Sequence, residues 1–383
     1  MSKLLAMMMR KKIPAIYKVL DWIQSDGYSY INTGYKANID DIIETDLQRI
    51  RYTLDFNDNF FFGIQNIDTT KGGLWVEQVT GSNKWYVRFC STSSANATCT
   101  NADQNNKIHI TLKKESFVTS GGTTLTPSFA GTINDTSLTL FGRISQDGNT
   151  VVCSIIKMWN FYITRNGSMK LNLIPVRRLT DNEVGMYDTV SKQFFGNVGT
   201  GKFIGSDEMV LTKVGSPTIT DGVVSGFSGI DYLKKIQTIE NVSIEYKLEF
   251  TTGSSLSGNQ ELLTFFKSGS GFALRSFIQN GTDLLFFTED DRYFHFNYTF
   301  STETTYKLKV EYNGDKTLIV TLYNSSDTQL KTQTITMTTQ MQKTSQFYIG
   351  SVGQSSSIFG GSIDLNNSYI KIDGTKYIFT IGA

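Results

Sequence analysis

Apolar and polar residues alternate along much of this chain with a period of two. From Asp41 to Gln48, Ile43, Thr45 and Leu47 fall on one face, and Ile42, Glu44, Asp46 and Gln48 on the other. Lys107 to Leu112 places Ile108, Ile110 and Leu112 together. Ser243 to Phe250 sends Ile244, Tyr246, Leu248 and Phe250 one way, and Tyr306 to Tyr312 does so with Tyr306, Leu308, Val310 and Tyr312. That period belongs to strands with one dry face and one wet face. Gly72-Gly73 and Gly121-Gly122 interrupt the runs as turns do. Beyond the N-terminal residues, no segment sustains a 3.6-residue period, so the pattern predicts antiparallel sandwiches.

A longer pattern occurs twice. Leu138-Thr139-Leu140-Phe141-Gly142 precedes a strand from Ser154 that ends at Asn166-Gly167, and Gln346-Phe347-Tyr348-Ile349-Gly350 precedes one from Ser362 that ends at Asp373-Gly374. Gly142 and Gly167 lie 25 residues apart, and Gly350 and Gly374 lie 24 apart. Each copy reads as strand, loop, then strand closed by an Asn-Gly or Asp-Gly hairpin turn. Duplication of a β domain is the expectation. Trp159, Phe161 and Tyr162, inside the first copy, are expected to be core.

The length of 383 residues suits two such domains. Aromatic residues make up 13% of the chain and only 4 prolines occur, which favours strands. The boundary is expected near Gly205-Ser206-Asp207-Glu208. This gives an N-terminal arm over 1–19, a first domain over 20–207 and a second over 208–383. The arm, Met1 to Lys12 above all, is basic and apolar, yet its apolar run is too short for a secretory leader. No stretch approaches the roughly 20 apolar residues of a membrane span.

Charge nearly cancels, with 36 basic against 35 acidic residues, so no basic face for nucleic acid is implied. Cys90, Cys99 and Cys153 are an odd number without compact spacing. Free thiols are preferred over a Cys90–Cys99 bridge, which stays open.

Several stretches resemble one known family. The run Trp22-Ile23-Gln24-Ser25-Asp26-Gly27-Tyr28-Ser29-Tyr30-Ile31-Asn32-Thr33-Gly34-Tyr35 is similar to the opening strand and turn of concanavalin A-like, laminin G-like jelly rolls found in bacteriophage virion proteins. Leu173 to Arg178, Glu183 to Val190 and Phe194 to Phe203 are similar to that family's closing hairpin. Gly361 to Gly374 resembles the matching motif of a sister subgroup. The resemblance spans most of residues 20–383. It implies an all-β protein of two tandem concanavalin A-like jelly-roll β-sandwiches behind a short N-terminal arm. It also implies a place on the virion as a fibre, tail or head-decoration protein. Its partners would be other virion proteins, reached through the arm, and host-surface glycan, with homo-oligomers an open option and no nucleic acid or membrane span. The fold itself hosts lectins, glycanases and purely structural modules.

Some glycoside hydrolases on this fold carry three acids at alternate positions of one strand, and Glu44-Thr45-Asp46-Leu47-Gln48 resembles that row. Here the third position is Gln48, so the acid that would protonate the leaving group is missing. The comparable strand of the second half offers Glu245, Lys247 and Glu249. Only His109 and His295 occur, and neither has a Ser or Cys partner at a recognisable spacing. No catalytic residue is therefore assigned. No His or Cys cluster suggests a metal. Asp364, Asn366 and Asp373 are oxygen donors of the kind Ca²⁺ takes, but they are expected to be turn residues instead, so no cofactor is assigned.

Glycan binding calls for aromatic platforms flanked by polar groups. Trp75, Trp85 and Tyr86 in the first half are the candidates, with Arg292 and Tyr293 after Asp290-Asp291 in the second. The expectation is a non-enzymatic display protein. A glycan-cleaving hydrolase on the same fold and a spacer without a ligand are the alternatives.

Overall fold

The computed structural model describes residues 13–51, 58–64, 72–79, 84–91, 93–103, 106–127, 133, 135–144, 151–239, 242–267, 271–288, 292–341, 343–352 and 357–382. The chain divides into two compact units, 1–206 and 207–383. Both are all-β sandwiches of jelly-roll type. Among the described residues the one helical turn is a 3₁₀ turn at Asn101–Asp103.

In the first unit one sheet runs through Thr124–Leu125, Ser116–Thr119, Ile108–Lys113, Asp41–Arg51, Ile155–Arg165, Ser168–Arg178, Val184–Asp188 and Phe194–Phe195. The facing sheet runs through Ile31–Lys36, Ser137–Leu140, Asp58–Ile64, Gly73–Val79, Lys84–Ser91 and Ala95–Thr98. Ile43, Leu47, Ile110, Leu112, Phe161 and Ile163 meet Phe61, Phe62, Val76 and Val87 in the core. Phe62 lies edge-on to Phe161 across the two sheets, with ring centres 5.2 Å apart. The alternation read from Asp41 and Lys107 is thus the alternation of burial.

Residues 1–12 of the expected arm lie outside the described residues. Tyr17–Val19, also expected within the arm, instead form a strand on Ser168–Arg178, with Tyr17 opposite Arg178. Tyr17 is held there by ring contacts at 4.9 Å to Tyr187 and 5.7 Å to Phe194. Those residues belong to the first sheet.

The second unit repeats the central strands. Thr305–Tyr312, Ile244–Thr251, Ser362–Ile372 and Thr375–Ile381 stand in the same order as Ile108–Lys113, Asp41–Arg51, Ile155–Arg165 and Ser168–Arg178. Its other sheet runs through Tyr293–His295, Asp283–Thr288, Phe272–Gln279, Asn259–Lys267, Thr344–Ile349 and Tyr232–Ile239. Glu208–Val214 joins the two sheets by pairing with a strand of each. Tyr246 and Phe265 meet across this core at 6.1 Å.

Both duplicated hairpins turn as the sequence predicts. Asn166 and Gly167 have φ of 50° and 75°, and Asp373 and Gly374 have 48° and 77°. Two consecutive positive values match the type I′ turn, whose twist suits a two-residue hairpin. Pairing resumes at Arg165 opposite Ser168 and at Ile372 opposite Thr375.

Candidate functional site

Three clusters on the outer faces of the sheets carry the chemistry. The first is the acid row. Glu44, Asp46 and Gln48 point away from the core, flanked by Thr111 and His109 on one neighbouring strand and by Tyr162 and Asn160 on the other. The register skips between Met158 and Asn160, so Trp159 is the extra residue of a β-bulge. This corrects two expectations. Trp159 and Tyr162 are half-exposed on the outer face, and only Phe161 of the three is core. Trp159 lies under the Lys107 ammonium, 4.7 Å from its ring centre.

The acids are occupied by this chain's own groups. His109 Nδ1 is 2.8 Å from Asp46 Oδ1, and its Nε2 is 3.5 Å from Glu44. Asn160 Nδ2 donates to Asp46 Oδ2 at 3.0 Å, and Lys107 Nζ stands 3.4 Å away. Burial pulls the Asp46 carboxyl upward, but the His109 hydrogen bond, the Lys107 charge and the Asn160 amide outweigh it, and the pKa ends below the usual value. Burial, then the charge and hydrogen bond of Glu44, push the Tyr162 hydroxyl up to about 12. A glycosidase acid must hold its proton. Asp46 is arranged to lose one.

The second cluster holds the tryptophan candidates. Trp85 is fully buried, because alternation turns Trp85, Val87 and Phe89 into the core. Its ring packs on Phe61 and Phe117 at 5.5 and 5.4 Å, and Nε1 donates to Asp103 at 3.2 Å. Trp85 is therefore no platform for a ligand. Trp75 lies on the outer face but is only 5% exposed, since guanidiniums cover its ring. The Arg88 guanidinium carbon is 3.7 Å from the ring centre and that of Arg143 is 4.6 Å from it. An open stacking surface at Trp75 is excluded too. Tyr86 is half-buried on the same face, opposite Glu77.

The third cluster contains the remaining candidates. Arg292 is exposed, as is Tyr293 at 54%, while Asp290-Asp291 lie outside the described residues. Tyr293 begins a line of rings across the outer face of the second unit's sheet. Its ring lies 4.9 Å from Phe287, Phe287 lies 6.0 Å from Phe272, and Phe272 lies 5.4 Å from Phe266. Phe266 continues to Tyr348 at 4.4 Å, which stacks on Tyr232 at 4.6 Å. Each ring comes from a different strand, so the line crosses six strands and spans about 24 Å at ordinary strand spacing. Tyr348 is buried; Phe287, Phe272, Phe266 and Tyr232 are half-exposed.

Polar groups flank these rings. Arg275 lies 4.7 Å over Phe272 and 4.8 Å over Phe277 and pairs with Glu261 at 2.7 Å. Complete burial pushes the Glu261 carboxyl up, against the pull of Arg275. The Lys234 ammonium stands 5.5 Å from the Tyr348 ring centre.

Five of the six rings were missed in the sequence, although a signal exists. Leu284-Leu285-Phe286-Phe287 is apolar without alternation. In an antiparallel sheet that means an apolar outer face as well as an apolar inner one.

Asp373 sits in its hairpin turn, whereas Asp364 and Asn366 lie in a strand, where the Asn366 amide N–H bonds Asp364 Oδ1 at 2.9 Å. Among the described residues no group of three or more His, Cys, Asp and Glu could hold a metal. All three cysteines are buried free thiols.

No protein-family model and no curated protein matches the chain. By structure it is similar to domains LG4-5 of the mouse laminin α1 chain, with a TM-score of 0.31, 10% identity, and 93% of this chain and 90% of that one covered. It is also similar to the LG1-3 region of the laminin α2 chain, with a TM-score of 0.31, 13% identity, and coverage of 94% and 63%. A third likeness is to Trypanosoma rangeli sialidase, with a TM-score of 0.34, 9% identity, and coverage of 80% and 58%. Likeness at this level concerns general architecture and carries nothing about ligand or activity.

Proposed function

We propose that this chain is a non-enzymatic display protein of a bacteriophage particle, in which the second jelly-roll unit engages host-surface glycan. The line of rings from Tyr293 to Tyr232 is the observation that carries the glycan reading. Aromatic side chains left on an outer sheet face cost free energy in water and are recovered when the apolar face of a sugar covers them. The rings tilt against one another, by 58° between Phe287 and Tyr293, so they offer edges and faces in turn along a chain-like ligand. Virion placement rests on the sequence resemblance of Trp22–Tyr35, of Leu173–Phe203 and of Gly361–Gly374.

A glycan array probed with the intact chain tests the binding role. Hits that weaken in Tyr293→Ala and Phe287→Ala support it, and an array without hits leaves the spacer reading in its place. Mass spectrometry of purified particles tests the virion role. Deleting residues 1–12, the described sheet being left whole, is expected to reduce incorporation. The non-enzymatic reading draws on Gln48 and on the ionised Asp46. Polysaccharide degradation that disappears in Glu44→Gln would overturn it.

A further inference from the structure

We propose that Arg88, Arg143 and Trp75 form a binding site for the acidic group of a glycan, a uronate carboxylate or a sulfate ester. The site lies on the outer face of the first unit's six-stranded sheet. It is independent of the aromatic line in the second unit.

The geometry brings two cations to one ring. Arg88 is directly across the sheet from Trp75, and Arg143 reaches over both Trp75 and Phe60, 3.9 Å from the Phe60 ring centre. Gly63 and Gly73 make room for this. A Cβ at Gly63 would meet Trp75 Cβ at 2.6 Å and Arg143 Cγ at 3.3 Å, and one at Gly73 would meet the indole at 2.7 Å. One guanidinium on an indole is an ordinary packing contact. A second cation beside it brings repulsion.

Charge and donors both favour an anion here. Burial, and then the charge of Arg143, lower the Arg88 pKa to about 10, with Glu77 acting in the opposite sense. Among the described residues, Glu77 is the buried carboxylate whose charge acts on Arg88. An arriving anion would offset the repulsion between Arg88 and Arg143, and the planar guanidinium fork matches a carboxylate or sulfate with paired hydrogen bonds. Arg88 makes long bonds of 3.4 and 3.3 Å to Ser94 Oγ. Trp75 Nε1 is buried and has no hydrogen-bond partner among the described residues, although buried indole N–H groups ordinarily find one. These groups are all donors, as an anion requires. The near-zero net charge of the chain argues against a long polyanion such as nucleic acid.

Calorimetric titration of the intact chain decides the matter with three probes: an oligogalacturonate, a heparin-derived sulfated oligosaccharide and a neutral cello-oligosaccharide. At least one acidic probe is expected to bind, more weakly as salt rises, and which one binds separates carboxylate from sulfate. Arg88→Gln and Arg143→Gln are each expected to weaken it about tenfold or more. Neither arginine variant should alter binding of the neutral probe, which separates this site from the aromatic line of the second unit. Failure of both acidic probes to bind overturns the proposal, as does unchanged affinity in a folded Arg143→Gln protein. If the variants do not fold, phenylglyoxal labelling of the wild-type chain replaces them. Protection of Arg88 and Arg143 by the bound probe supports the site, and equal labelling with and without it rejects it.

Discussion

The ring of Tyr293 lies 4.9 Å from that of Phe287 and tilts by 58° against it, although Tyr293 is more than half exposed. Such a pair contributes little to the fold, and under the proposed function a glycan would cover it. Tyr293→Ala is expected to cost less than about 1 kcal/mol of stability, because most of the lost surface already faces water. Its effect on glycan affinity should be larger, about fivefold for one stacking contact of about 1 kcal/mol. Thermal melting and affinity measured on the same preparation separate the two. Melting that drops by more than ten degrees would make Tyr293 a structural residue instead.

Asp46 predicts a feature of the acid limb. Its folded pKa lies below that of a free carboxylate, so its contribution is present above about pH 4 and is lost as pH falls through the folded value. Asp46→Asn removes that contribution. The stability gap between wild type and variant should therefore be widest near neutrality and close as pH drops below about 4. The side chain is 26% exposed and its partners are accessible, so the gap is expected to stay below about 1 kcal/mol. Denaturant melts from pH 7 to pH 3 read it directly, and a gap that widened on acidification would contradict the assignment.

The duplicated hairpins allow a matched test. Gly167 and Gly374 have φ of +75° and +77°, and an added Cβ at either meets nothing within 4 Å. Any cost of Gly167→Ala or Gly374→Ala is then a backbone cost, about 1 kcal/mol in each unit. Urea unfolding should show similar losses for both. A loss confined to one would mean that the two turns do not play equivalent parts.

Thiol chemistry is expected to be silent in the native protein. Burial, with the nearby charge of Asp41 or Asp26, pushes Cys90 and Cys153 up to about 12, and burial raises Cys99 against the hydrogen bond from Gln78. The thiolate is the reactive form, so Ellman's reagent at pH 8 should find almost none until guanidinium exposes all three. Rapid labelling of the native chain would refute this.

Much of the sandwich was legible in the chain. Strict alternation at Asp41–Gln48 and Ser243–Phe250 predicts which face is dry, because side chains on a strand have no third direction to take. Asn166-Gly167 and Asp373-Gly374 predict their turns, since few other residue pairs tolerate two positive φ values in succession. The candidate sites were less legible. Trp85 and Trp75 look alike as aromatic residues in a strand, yet one turns into the core and the other lies beneath two arginines. Trp159 escaped the core because a bulge reversed its side.

By itself, then, the sequence determined the strand class, the duplication and the hairpins, all of which depend on neighbours along the chain. Tertiary structure alone decided that Arg143 reaches Trp75, and that six rings from six strands meet in one line. Those contacts join residues far apart in sequence, and strand order and register, which bring them together, are set by the packing of the whole sheet.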